Sequence, residues 1–206
     1  MTFPDHSSST ASDYMNAYII EHEKAFKAVD QSAFTAASEL LDSTYQQGGT
    51  VFVCGNGGSA AVANHMVCDH GKLIQTDTQL RVKVISLCSS NELMTAISND
   101  MSYDEVFSYP LRSLGQKGDV LLTISGSGES ANIVRAIETA KEREMEVIAF
   151  TGFSGGKSAE LSDINVHVPC DNYGIAEDIH QSLMQISAQY IRMKHMDKNL
   201  ISKRKF

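Results

Sequence analysis

The sequence predicts an α/β fold: a doubly wound, five-stranded parallel sheet flanked by helices, with a helical hairpin before it and a long helix after it. Three observations carry this reading. Five short β-branched apolar runs alternate with helical segments from residue 50 onward. Two of those runs end in glycine- and serine-rich turns that lead straight into a helix. The 206 residues hold three prolines and no compositional break, so they read as one domain.

Residues 1–12 are polar and serine-rich and read as a flexible N-terminus. Helical spacing of Tyr14, Tyr18, Ile19, Phe26 and Val29 starts a first helix near Asp13. A second follows Ser32 and stops at Gly48-Gly49, which closes a hairpin over 13–49. The strands are read as TVFVCG (50–55), VKVISL (82–87), DVLLTIS (119–125), EVIAFTG (146–152) and INVHVP (164–169). Segments such as SAAVANHMVCDHGKL and ESANIVRAIETAKERE supply the helices between them. The α/β core and the last helix together occupy 50–193, and 194–206 reads as a solvated polar tail.

Composition narrows the function. A formal net charge of −8 leaves no concentrated basic surface for nucleic acid. No apolar run reaches the length of a membrane span, and the start has neither a basic nor an apolar signal region, so the expected location is the cytoplasm. The four cysteines show no close pairing and are expected to be free, small and buried.

The two turns are the chemically informative segments. Gly55-Asn56-Gly57-Gly58-Ser59 and Ser125-Gly126-Ser127-Gly128-Glu129-Ser130 lie where an open α/β sheet places its ligand crevice. Glycines admit close approach to the backbone, hydroxyls donate, and unpaired amides at a helix N-terminus favour an anion. No lysine follows either glycine run, which disfavours a nucleoside triphosphate. A lone turn of this kind is most simply a capped strand-to-helix junction. Two in one sheet, the second with three hydroxyls within six residues, point to a phosphate.

GNGGSAAVANH, the SND turn followed by YDEVFSYPLRSLGQKGDVLLTISGSGESANIVRAIETAKEREMEVIAFTG, and the EDIHQSL helix resemble the sugar isomerase (SIS) domain family, nearest its phosphoheptose isomerase branch. The resemblance implies an aldose–ketose isomerase acting on sedoheptulose 7-phosphate to give D-glycero-D-manno-heptose 7-phosphate. Such a product would feed heptose synthesis for surface polysaccharide. The resemblance implies that Ser125, Gly126, Ser127 and Ser130 hold the phosphate. Asn56, Gly57, Gly58, Ser59, Asn99 and Asp100 would then contact the sugar. It also implies a homotetramer with sites at subunit contacts, and a zinc ion.

The zinc ligand positions correspond to His65, Asp69, Glu177 and Gln185, three of which depart from the family's Glu, Gln and His. His180 lies between the last two and is an alternative ligand. The i, i+4 pair His65 and Asp69 is also explained by an exposed helix face. Asp69, Glu177 and His180 are the candidate catalytic residues, since enediol chemistry needs a carboxylate or imidazole base. His70 and Lys72 read as charges complementing the end of their helix. On the last helix, Ile179, Leu183, Ile186 and Tyr190 form the expected packing stripe, with Glu177, His180, Gln181 and Gln185 opposite. The altered ligand positions leave a competing reading: a SIS-type protein that binds a sugar phosphate without turning it over.

Overall fold

The computed structural model describes residues 3–5 and 7–206. Helix α1 (Ala11–Lys27) begins two residues before the expected start because the Thr10 hydroxyl caps it, accepting from the Asp13 amide at 3.1 Å. Helix α2 (Gln31–Gln46) is capped by Asp30 and ends at Gly48, whose φ of 75° suits a residue without a side chain. Five strands follow: β1 (Thr50–Gly55), β2 (Lys83–Ser86), β3 (Val120–Ser125), β4 (Glu146–Thr151) and β5 (Ile164–His167). All pair in parallel in the order β2-β1-β3-β4-β5.

The connections are α3 (Gly58–Cys68) with a π-helical turn Asp69–Leu73, α4 (Asn91–Asp100), α5 (Ser108–Leu114), α6 (Ala131–Glu142) and α7 (Gly156–Leu161). Helix α8 (Tyr173–His195) and the short α9 (Lys198–Ile201) close the chain. Helix α5 is absent from the sequence reading; Pro110 interrupts its short pattern.

Central strands are apolar on both faces, as a covered parallel sheet requires. Val51, Phe52, Val53, Leu121, Leu122, Ile124, Val147 and Ile148 are all buried. Truncating one of the larger side chains to alanine typically costs about 2–5 kcal/mol. Two aspartates set the strand starts: Asp119 accepts the Thr50 and Gln116 amides, and Asp163 accepts the Val147 amide. Strand order reverses between β1 and β3. Right-handed crossovers therefore send the chain to opposite faces from these neighbours and leave a crevice at their carboxyl ends.

Both chain ends make contacts with the body of the domain. Within 1–12, His6 and the first two residues lie outside the described residues, but the Phe3 ring packs on Tyr14 and Tyr18 and its carbonyl accepts from Asn172. The 194–206 segment is mostly exposed, but it is tied to the body of the domain at several points. Lys194 and His195 both bind the buried Asp42 carboxylate, at 2.7 and 2.6 Å. Buried Arg192 pairs with Asp77, which also holds Arg204, and the Phe206 ring sits 4.8 Å from the Arg192 guanidinium. Cys54, Cys88 and Cys170 are buried as expected, whereas Cys68 is exposed.

Candidate active site

The two turns meet at the switch point, where they line a cleft of about 260 Å³. After β1, Gly57 takes φ 55° and ψ −121°, a conformation open to glycine, and releases the chain into α3. Cys88 and the Gly55 carbonyl tie this turn to the end of β2. After β3, Gly128 with φ 68° folds the loop back so that its amide donates to Ser125 Oγ at 3.1 Å.

The hydroxyl bookkeeping suits an anion. Ser125 Oγ accepts from Gly128 and Ser127 Oγ accepts from the Glu129 amide, so both keep their own protons to donate. Ser130 is the N-cap residue of α6 yet makes no side-chain capping bond. Its hydroxyl is thus uncommitted where it lines the cleft, with the N-terminal end of the α6 dipole beside it. Ser125, Gly126, Ser127 and Ser130 all line the cleft.

Gly57, Gly58, Ser59 and Glu177 form the facing wall. The Glu177 carboxylate, one turn into α8, accepts from both the amide and the hydroxyl of Ser59, in the first turn of α3. Burial, followed by the charge of neighbouring Asp178, raises its pKa above the usual carboxylate range against those hydrogen bonds. Tyr173 also lines the cleft, a residue the sequence reading missed. Its ring packs on Phe153 at 4.6 Å and over Gly126, where a Cβ would stand 3.1 Å from the ring. The signal available was its place at the start of α8, just beyond an Asn172 cap.

Asn56 borders the cleft, but its amide is largely engaged. It exchanges hydrogen bonds with Asn132 of α6 at 2.9 and 2.8 Å and accepts from the Tyr103 hydroxyl. Its structural effect is to fasten the first turn to the helix behind the second. Asn99 and Asp100, at the end of α4, bond to each other and are not among the cleft residues of this chain.

The expected metal ligands divide between two cavities. His65, Asp69 and Gln185 face a second space of about 330 Å³, with Lys72, Gln189 and Phe206. Glu177 faces the serine cleft instead. His65 Nε2 lies 3.3 Å from Asp69, and Nδ1 lies 3.1 Å from the Gln181 amide nitrogen. The His65 ring is thus held between Asp69 and Gln181. Catalytic zinc sites draw on several imidazole or thiolate donors. Here there is one imidazole, already engaged, and among the described residues no three His, Cys, Asp or Glu converge as a metal group. These residues do not fit the zinc ion expected from the resemblance.

His180 is not among the lining residues of either cavity. It is fully buried on the core face of α8, with Nε2 against the Thr151 carbonyl at 3.1 Å and its ring near Phe150. Burial lowers its pKa to about 4 and keeps it neutral. The packed face of α8 runs through Ala176, Ile179, His180, Leu183 and Met184, while Ile186 and Tyr190 are exposed, so the predicted stripe is rotated. His70 is likewise core rather than a dipole partner. Its Nδ1 meets the Tyr45 hydroxyl at 2.8 Å, its Nε2 meets the Met184 carbonyl, and burial brings its pKa to about 4.

A doubly wound domain with an anion cradle at its switch point belongs, as a class, among binders of small anionic metabolites. The family model described as SIS domain matches residues 14–152. The phosphoheptose isomerase of Bordetella avium is 39% identical over 165 residues, covering 79% of this chain and 83% of that protein. That of Helicobacter pylori is 35% identical over 177 residues, covering 86% and 91%. The solved phosphoheptose isomerase of Neisseria gonorrhoeae superposes with a TM-score of 0.81 at 34% identity, covering 88% and 98%. The chain belongs to the SIS domain family and, within it, to the phosphoheptose isomerase branch.

Proposed function

We propose that this protein is an aldose–ketose isomerase that converts sedoheptulose 7-phosphate to D-glycero-D-manno-heptose 7-phosphate. The observation that carries the reading is the cradle of Ser125, Ser127 and Ser130 at the N-terminus of α6, opposite a carboxylate in one cleft. The substrate phosphate binds the hydroxyls and helix amides, which directs the sugar chain toward Ser59 and Glu177. The names of the similar proteins supply the substrate; the cleft alone recognises the phosphate.

The product supplies heptose for surface polysaccharide. The reaction belongs in the cytoplasm. Among the described residues no helix is long and apolar enough to cross a membrane. The working form is a homotetramer with sites at subunit contacts. Exposed Met15, Ile19 and Ile20 on α1 and Ile186, Tyr190 and Met193 on α8 favour assembly. A second subunit could then bring Asn99 and Asp100 to the sugar.

The changed residues at positions 69, 177 and 185 favour a second reading, a binder of sugar phosphate without turnover. Incubation with sedoheptulose 7-phosphate separates the two: aldose product supports the isomerase, and tight binding with no product supports the binder.

A further inference from the structure

Of the three side chains expected to carry the chemistry, the structure brings one to the phosphate cleft. His180 is sealed in the core, and Asp69 faces the second cavity beside His65. Glu177 shares the cleft with Ser125, Ser127 and Ser130 and is the one titratable carboxylate among its lining residues. We propose that Glu177 alone moves the proton between C1 and C2 of the substrate, acting on carbon directly and with no metal ion linking it to the sugar. This rests on the isomerase reading above.

The geometry gives the carboxylate two fixed donors and leaves acceptor capacity over. Ser59 supplies an amide and a hydroxyl from the first turn of α3. Two carboxylate oxygens offer about four acceptor positions, so Glu177 can be held and still face a C–H bond. The close approach of Gly58 sets its position from below: a side chain there would meet the carboxylate. A purely structural Glu177 would be a remote cap on α3, and glutamine could serve almost as well in that role.

The step balances. Glu177 takes the C1 proton; the C1–H electron pair forms the C1=C2 bond and the C2 carbonyl pair moves onto O2. The O1 proton passes to O2, the O1 pair forms the new aldehyde, and the C1=C2 pair takes the proton from Glu177 at C2. One hydrogen has moved from C1 to C2 and one from O1 to O2, with no change in oxidation state overall.

The test uses full-length protein stripped with chelator and assayed with chelator present. Wild type should convert sedoheptulose 7-phosphate at its untreated rate. Glu177→Gln should lose about 10²- to 10⁴-fold in kcat, the range for general acid–base groups, while binding inorganic phosphate as wild type does. Glu177→Asp should recover part of the loss, since it restores the acid at a shorter reach. A Glu177→Gln protein that turns over normally, or a stripped wild type that is inactive until zinc is restored, overturns the inference and leaves the isomerase reading standing. Wild type that binds phosphate and never turns over, with or without zinc, overturns both.

Discussion

The carboxylate of Glu177 occupies the space that a side chain at position 58 would require: a Cβ built on Gly58 would collide with both Glu177 oxygens. Helices α3 and α8 are thus in contact at the cleft wall through a glycine and an acid. Gly58→Ala should push the carboxylate off Ser59 and lower kcat by about 10- to 100-fold, the order expected for a misplaced catalytic group. Because Gly58 has no positive φ, phosphate affinity and melting temperature should change little. An unchanged kcat would contradict the contact's role.

The Ser127→Ala/Ser130→Ala double variant removes two of the hydroxyls that open onto the cleft. Hydrogen bonds to charged groups contribute about 1.5–3 kcal/mol each. Calorimetry should therefore record at least about a hundredfold weaker phosphate binding, with the fold retained. Equal affinity would place the phosphate elsewhere.

Acid stability follows from two buried histidines. Burial lowers the pKa of His70 and of His180 to about 4 in the folded chain, from the 6.5 of a free imidazole. The unfolded chain binds these protons first, so stability is fully present above pH 6.5 and falls as the pH drops toward 4. Shifts of this size correspond to about 3 kcal/mol per site. Melting temperature should fall steeply across that window, and His180→Gln, though less stable at pH 7, should show a shallower slope. An identical slope would remove His180 from the account.

Assembly is tested on the exposed stripe of α1. Ile19→Glu with Ile20→Glu should convert a tetramer into smaller species by light scattering, because two charges would have to be buried at the contact. A mass unaffected by the substitutions would move the interface elsewhere.

The sheet was legible because β-branched runs and glycine stops are local signals, and each expected strand matches within two residues. The serine loop was legible for the same reason: hydroxyls, glycines and a helix start adjoin in sequence. What failed were questions of rotation and neighbour. His180 and Gln181 are adjacent, yet one is sealed against Thr151 and the other reaches His65, and a turn of about 100° on α8 decides which. Tyr173 was missed because its partners, Gly126 and Phe153, come from other loops, and its place after the Asn172 cap marks only a helix start. The docked C-terminal residues depend on Asp77, more than a hundred positions earlier.

The most direct test of the central claim is hydrogen exchange at substrate carbon. Purified protein is incubated with sedoheptulose 7-phosphate in D₂O and the sugar is followed by proton NMR. A base in the cleft that takes the C1 proton and exchanges it with solvent should place deuterium at C1 of the ketose and at C2 of a newly formed aldose, and Glu177→Gln should suppress both. Saturated binding with neither label nor aldose after prolonged incubation would contradict the account and leave a domain that binds sugar phosphate without acting on it.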